Sequence, residues 1–174
     1  VESGALERVY DSAPGEQSSL RVIIVAPCLQ PVPGRLLGEP YCGWLREQHA
    51  AGVILTSVCA GAFPLAEAGL LDGRSVTTHW ALGSELAQQY PQVRVLPERM
   101  LVEDGDLITA GGLMAWTDLG LALVNRSLGA TIAAETARFL VVDLNRTSQL
   151  HFSHFVPVFD HGDAPILAVQ HWLQ

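Results

Sequence analysis

Apolar residues in this chain fall in short blocks whose spacing alternates between that of a buried strand and that of a helix face. Val22-Ile23-Ile24-Val25-Ala26 is a continuous apolar run closed by Pro27, which predicts a parallel strand covered on both faces. Tyr41 to Ala50 places Trp44 and Leu45 at helical spacing before Gly52, and Val53 to Val58 is a second buried strand, so the two runs and their helix make a βαβ unit. Ala60 to Ala68 predicts a short helix closed by Gly69, with Pro64 near enough to its start to be tolerated. A helix from Ala81 to Tyr90, with Leu82 and Leu86 on one face, ends before Pro91 and leads to a short strand over Val93 to Leu96. Leu101-Val102-Glu103 and Leu107-Ile108-Thr109 flank an Asp104-Gly105 turn, a hairpin pattern. Two apolar helices close the series: Thr117 to Leu128, capped near Thr117 or Asp118, and Thr131 to Leu144 after Gly129. Strands alternating with helices predict an α/β fold, an open and mostly parallel sheet with helices on both faces.

Composition fits one such unit. The 174 residues are 49% hydrophobic and 16% charged, enough to bury a single sizeable core. The polar stretch from Val1 to Ser19, with its Pro14-Gly15 turn, reads as an arm leading into the domain. Ten basic residues against 18 acidic ones give a net charge of -8, which repels phosphate backbones, so this chain is expected not to bind DNA by itself. Cys28, Cys42 and Cys59 have neither metal-type spacing nor an even count, which fits a reducing cytoplasm. No apolar run reaches the roughly 18 residues that span a bilayer, and no leader pattern opens the chain.

The chemistry concentrates at Thr56-Ser57-Val58-Cys59-Ala60-Gly61-Ala62. A strand that turns sharply into a helix needs small neighbours, and it lifts one side chain above the sheet edge. A helix N-terminus there is expected to favour thiolate and lower the Cys59 pKa below its free value of about 8.5. The plainer reading, a small buried hydrophobe, is less favoured for Cys59 but holds for Cys28 and Cys42, so Cys59 is expected to react fastest with thiol reagents. His79 follows twenty residues later, and its chain is long enough to return to the sheet edge as a partner or base; a histidine merely bonded to backbone beside Trp80 fits the spacing equally.

Ser57 to Trp80, with Ser-Val-Cys-Ala-Gly, Ala68-Gly69-Leu70-Leu71-Asp72-Gly73 and Thr77-Thr78-His79-Trp80, closely resembles the motif of PfpI-like domains in the class I glutamine amidotransferase-like superfamily. It is most similar to the subgroup that forms the N-terminal half of AraC-type transcription regulators, from about Leu20 to the chain end. Thr109 to Gly112 and Asp118 to Leu123 look like the family's later strand, turn and helix. The resemblance implies a flavodoxin-like fold and a site in which Cys59 and His79 are catalytic or vestigial. Cys59, Ala60, Gly61, His79, Gly112 and Asp118 then line a ligand site, although helix capping accounts for Asp118 equally. Ala60 stands where threonine is commoner, and Leu113 to Thr117 replace a small-residue turn, so a bulkier, less polar pocket is expected. The family's opening βαβ segment, with an acidic residue facing the cysteine, is not found before Leu20. The chain therefore reads as N-terminally truncated, lacking a complete triad and exposing apolar surface.

Residues 148–174 resemble a linker, from Ser148-Gln149-Leu150-His151-Phe152, and the start of a DNA-binding half that does not follow. His151, His154 and His161 belong to that linker and lack the accompanying acids or thiols of a metal site. The leading functional expectation is a sensor that binds a small-molecule effector near Cys59, forms a homodimer through the N-terminal arm and the tail, and reaches DNA only through its missing half. No cofactor, metal or membrane is implied. The rival is a PfpI-like cysteine hydrolase or hydratase using Cys59 and His79, and a third reading is a dimerisation module with an inert thiol.

Overall fold

A computed structural model describes residues 21–27, 39–144, 146–153 and 162–173. In chain order the elements are β1 (Val22–Val25), α1 (Glu39–Ala50), β2 (Ile54–Val58), α2 (Ala62–Glu67), β3 (Ser75–Val76), α3 (Gly83–Gln89), β4 (Arg94–Val95), β5 (Leu101–Asp104), β6 (Leu107–Ala110), α4 (Trp116–Leu128), α5 (Ala130–Leu140) and α6 (Ala164–Trp172). Cys28 and the segment from Val1 to Leu20 lie outside the described residues.

The main sheet has the order β1-β2-β6-β5, with β1, β2 and β6 parallel and β5 antiparallel to β6. A two-stranded parallel pair, β3 with β4, stands beside it. The central strands bury both faces: Leu55 and Leu107 pack with Leu45, Phe63, Leu65 and Leu86 on the α1–α3 side, while Val58, Ile108 and Ala110 pack with Ala115 and Leu119 on the α4 side. That two-sided burial is why β2 carries no charged residue and buries even Thr56 and Ser57 beside Leu55 and Val58. The predicted open, mostly parallel sheet with helices on both faces is the one found.

Three local expectations need correction. β1 is half-buried, with Ile24 56% exposed, because it is the edge strand of the described sheet. Neither Thr117 nor Asp118 caps α4: a 3-10 turn over Leu113–Ala115 runs directly into the helix, and the Thr117 hydroxyl donates backward to the Met114 carbonyl at 2.9 Å. α5 stops at Leu140 because Val141 takes a left-handed conformation with φ of 57°.

The end of the sheet remote from Cys59 is pinned by charge. Arg74 reaches Asp104 at 3.2 Å and Asp106 at 2.6 Å, the Ser75 N–H donates to Asp104 at 2.9 Å, and His49 Nε2 lies 2.7 Å from Asp106. Hydrogen bonding by Arg74, followed by His49, holds the Asp106 carboxyl down to about 2. A depressed carboxyl contributes stability above its ordinary pKa and loses it as pH falls toward the folded value. The Asp106 side chain is 48% exposed, so screening keeps the contribution of this pair on the order of 1 kcal/mol. Arg74→Ala should therefore lower stability by about that amount in urea titrations at pH 7, and the difference should shrink between pH 4 and 2. An undiminished difference at pH 2 would assign the loss to packing.

Candidate functional site

The elbow forms where β2 ends. Val58 is extended, Cys59 turns to a φ of 54°, and residues Cys59–Gly61 make one 3-10 turn leading into α2. Cysteine in the left-handed region costs about 1–3 kcal/mol of backbone strain, and such strain gathers at functional sites. Gly61 permits the turn because it faces β1: a Cβ there would sit 2.2 Å from the Val25 carbonyl oxygen. Gly61 is required here for the missing side chain, since its φ of -61° is ordinary.

Burial decides the chemistry of the thiol. Cys59 is 9% exposed and packs with Val58, Met100 and Ala115. Desolvation pushes its pKa up, against a smaller opposing effect of the Ala60 backbone N–H. The expected depression of the Cys59 pKa is thus reversed, because a single three-residue turn offers one donor while the surrounding core removes water from the thiolate. Alkylation followed peptide by peptide should show the Cys59 rate still climbing at pH 9. Cys59 should nevertheless outpace Cys42, which is 2% exposed and sits in the α1–α3 core. A rate plateau below pH 8 would restore an activated thiol.

The loop from Thr77 to Trp80 closes over this elbow. The Thr78 hydroxyl donates to the Cys59 carbonyl at 2.8 Å, and the Thr77 N–H donates to Thr109 Oγ1 at 2.8 Å, both with fully buried side chains. His79 caps the next turn by accepting the Ala81 N–H at Nδ1, 3.2 Å away, and its half-buried ring is pushed below its usual pKa by desolvation. The ring lies beside Gly112, 3.9 Å from where a Cβ would stand. Among the described residues no hydrogen bond joins His79 to Cys59. Both groups are thus held toward their neutral forms, a thiol and an imidazole.

The structure accordingly brings Cys59, Ala60 and Gly61 under the loop carrying His79, and sets Gly112 against that histidine. Asp118 is placed elsewhere. Its side chain is 10% exposed, pairs with Arg146 at 3.5 Å, and lines a cavity of about 540 Å³ between β5, α4, α5 and residues 143, 144, 146 and 147, whose lining includes neither Cys59 nor His79. Burial raises the Asp118 pKa against the opposing pull of Arg146. Past Gly112, Leu113, Met114 and Trp116 are exposed and Ala115 is buried. His151 packs on Phe152, while His154 and His161 lie outside the described residues.

One residue of consequence has no motif to announce it. Gln149, in the stretch that reads as linker, is 1% exposed, and its amide inserts between the His79 loop and Gly111.

A model of the DJ-1/PfpI family matches residues 24–126, from β1 through the elbow and the His79 loop into α4. The chain belongs to the DJ-1/PfpI family. Within it, the HTH-type transcriptional regulator CdhR of Pseudomonas aeruginosa is 38% identical over 108 residues, 62% of this chain and 32% of that protein. Isonitrile hydratase of Pseudomonas putida is 38% identical over 125 residues, 71% of this chain and 48% of the enzyme. A crystal structure of an AraC family transcriptional regulator from Pseudomonas putida superposes with a TM-score of 0.60 at 28% identity, covering 70% of this chain and 64% of that one. The chain spans about a third of the length of the HTH-type regulators it matches. Among the described residues no helix is long and apolar enough to cross a membrane.

Proposed function

We propose that this chain is the effector-sensing part of an AraC-type transcription regulator, with a small molecule seated at the Cys59 elbow beneath His79. The observation that carries the reading is a strained elbow whose thiol is buried: the strain marks a built site, and desolvation, which raises the thiol's pKa, disfavours the thiolate that nucleophilic attack requires. Likeness to CdhR and to the AraC family structure supports it. With a net charge of -8, DNA contact belongs to a separate domain of the regulator, and the compartment is the cytoplasm. Self-association belongs to the same reading. Phe139 is 86% and Val141 91% exposed at the end of α5, and Ile132 is 40% exposed on the same helix, an apolar surface that suits burial against a second copy.

Isonitrile hydratase favours the competing reading, in which Cys59 is a nucleophile. One experiment separates the two. A panel of small polar metabolites is screened by thermal shift, and each hit is incubated with protein and followed by mass spectrometry. A ligand at a hundredfold excess over its Kd contributes about 2.7 kcal/mol, which moves the midpoint of a domain of this size by roughly 5–10 °C. The sensing reading expects such a hit, unchanged on incubation and lost in Gly112→Val, with the protein sedimenting as a dimer at micromolar concentration. Turnover proportional to protein and abolished in Cys59→Ala would replace sensing with catalysis.

A further inference from the structure

We propose that Gln149 is the positioning residue of the Cys59 and His79 site, holding the His79 loop against the elbow and tying residues 146–153 to it. The proposal rests on the reading of that site as the effector site, and it adds the route by which the site's state reaches the segment leading toward α6. The side-chain amide is enclosed on all sides. Its Nε2 lies 2.9 Å from the Thr78 carbonyl, 2.8 Å from that of Arg99, 3.1 Å from that of Pro97 and 3.3 Å from Thr77 Oγ1, while Oε1 accepts the Trp80 N–H at 3.3 Å. One amide therefore binds on both sides of His79, at residues 78 and 80.

The same residue anchors its own segment. The Gln149 N–H donates to the Glu98 carbonyl at 2.9 Å and the Met100 N–H to the Thr147 carbonyl at 3.0 Å, with Arg99 and Ser148 paired between them. On the other side, Thr78 donates its hydroxyl to the Cys59 carbonyl at 2.8 Å. Direct contacts thus run from the Cys59 carbonyl through Thr78 to the Gln149 amide and its backbone. Gly111 leaves no slack: a Cβ there would fall 2.2 Å from Gln149 Nε2. A buried amide that loses partners incurs their full desolvation cost, so the loop cannot shift gradually while Gln149 stays seated. Movement of the His79 loop and release of residues 146–153 are one event.

Two readouts test this without an effector, so the proposal and the sensing function fail separately. The first is the titration of His79 followed by NMR of its ring. Gln149→Ala should free the loop and move the His79 midpoint up toward that of an exposed histidine, whereas Leu45→Ala, which destabilises the core from α1, should not. If Gln149→Ala prevents folding, Gln149→Met keeps the length without the amide and carries the same expectation. The second readout is amide hydrogen exchange at Gln149 and Met100 in Thr78→Val, which removes the bond to the Cys59 carbonyl. Exchange at these amides should rise roughly tenfold, the effect of one lost buried hydrogen bond, and by more than at amides of α1. An unmoved His79 titration in the folded Gln149 variant, or a uniform rise in exchange across the chain in Thr78→Val, would overturn the proposal.

Discussion

Gly61→Ala should cost the fold about 3 kcal/mol or more, among the largest losses available to a single methyl group in this molecule. The added Cβ would stand 2.2 Å from the Val25 oxygen, 3.0 Å from the Val25 carbonyl carbon and 3.2 Å from the Ala26 oxygen. These are backbone atoms of a paired strand and of the residue that follows it, and a paired strand cannot rotate aside as a side chain does. Relief requires β1 to part from β2 or the elbow to open, and either change removes ladder hydrogen bonds. Gly43→Ala is the matched opposite. It lies inside α1 with nothing within 4 Å of its Cβ position, so the same methyl group should add about 0.5–1 kcal/mol through helix propensity. Urea denaturation of both variants checks the pair, and equal effects would show the approach of Gly61 to β1 to be wrong.

Substitution of Cys59 should rank variants by backbone preference and not by hydrophobicity. With φ at 54°, valine is the least tolerated choice because its branched Cβ crowds the left-handed conformation, and Cys59→Val should fall about 2 kcal/mol below Cys59→Ala. Glycine adopts that conformation freely, which offsets the lost packing of the thiol, so Cys59→Gly should stay within about 1 kcal/mol of the parent. Denaturation midpoints in the order glycine, alanine, valine confirm a strained elbow. If valine matched or exceeded alanine, the residue would be behaving as ordinary core, and the argument that strain marks the site would fall with it.

Much of this was legible in the residues, for reasons that are physical. β2 was readable because a central parallel strand buries both faces and so holds β-branched, apolar and small residues with no charge among them, and the elbow because only small residues fit a strand that reverses into a helix beside β1. The sign of the Cys59 shift was not readable, since a motif records the turn but not how much water the neighbouring core excludes. The end of α5 was missed because Val141 takes a conformation usually reserved for glycine. Asp118 looks like part of the site by order along the chain, yet its placement on α4 turns it toward Arg146. Gln149 gave no signal at all: an isolated amide in a polar stretch has no periodicity, and its importance lies wholly in what the fold wraps around it.

The contact between Gly111 and Gln149 has a consequence for how sequences of this architecture can diverge. The two positions share one volume: a side chain at 111 is tolerable only where 149 is small, and a long amide at 149 obliges glycine at 111. A side chain gained at 111 alone is blocked, and a lineage that exchanges both positions gives up the clasp on the His79 loop in the same step. Descendants that keep glycine and glutamine together should therefore be those in which the segment beyond residue 146 still answers to the elbow.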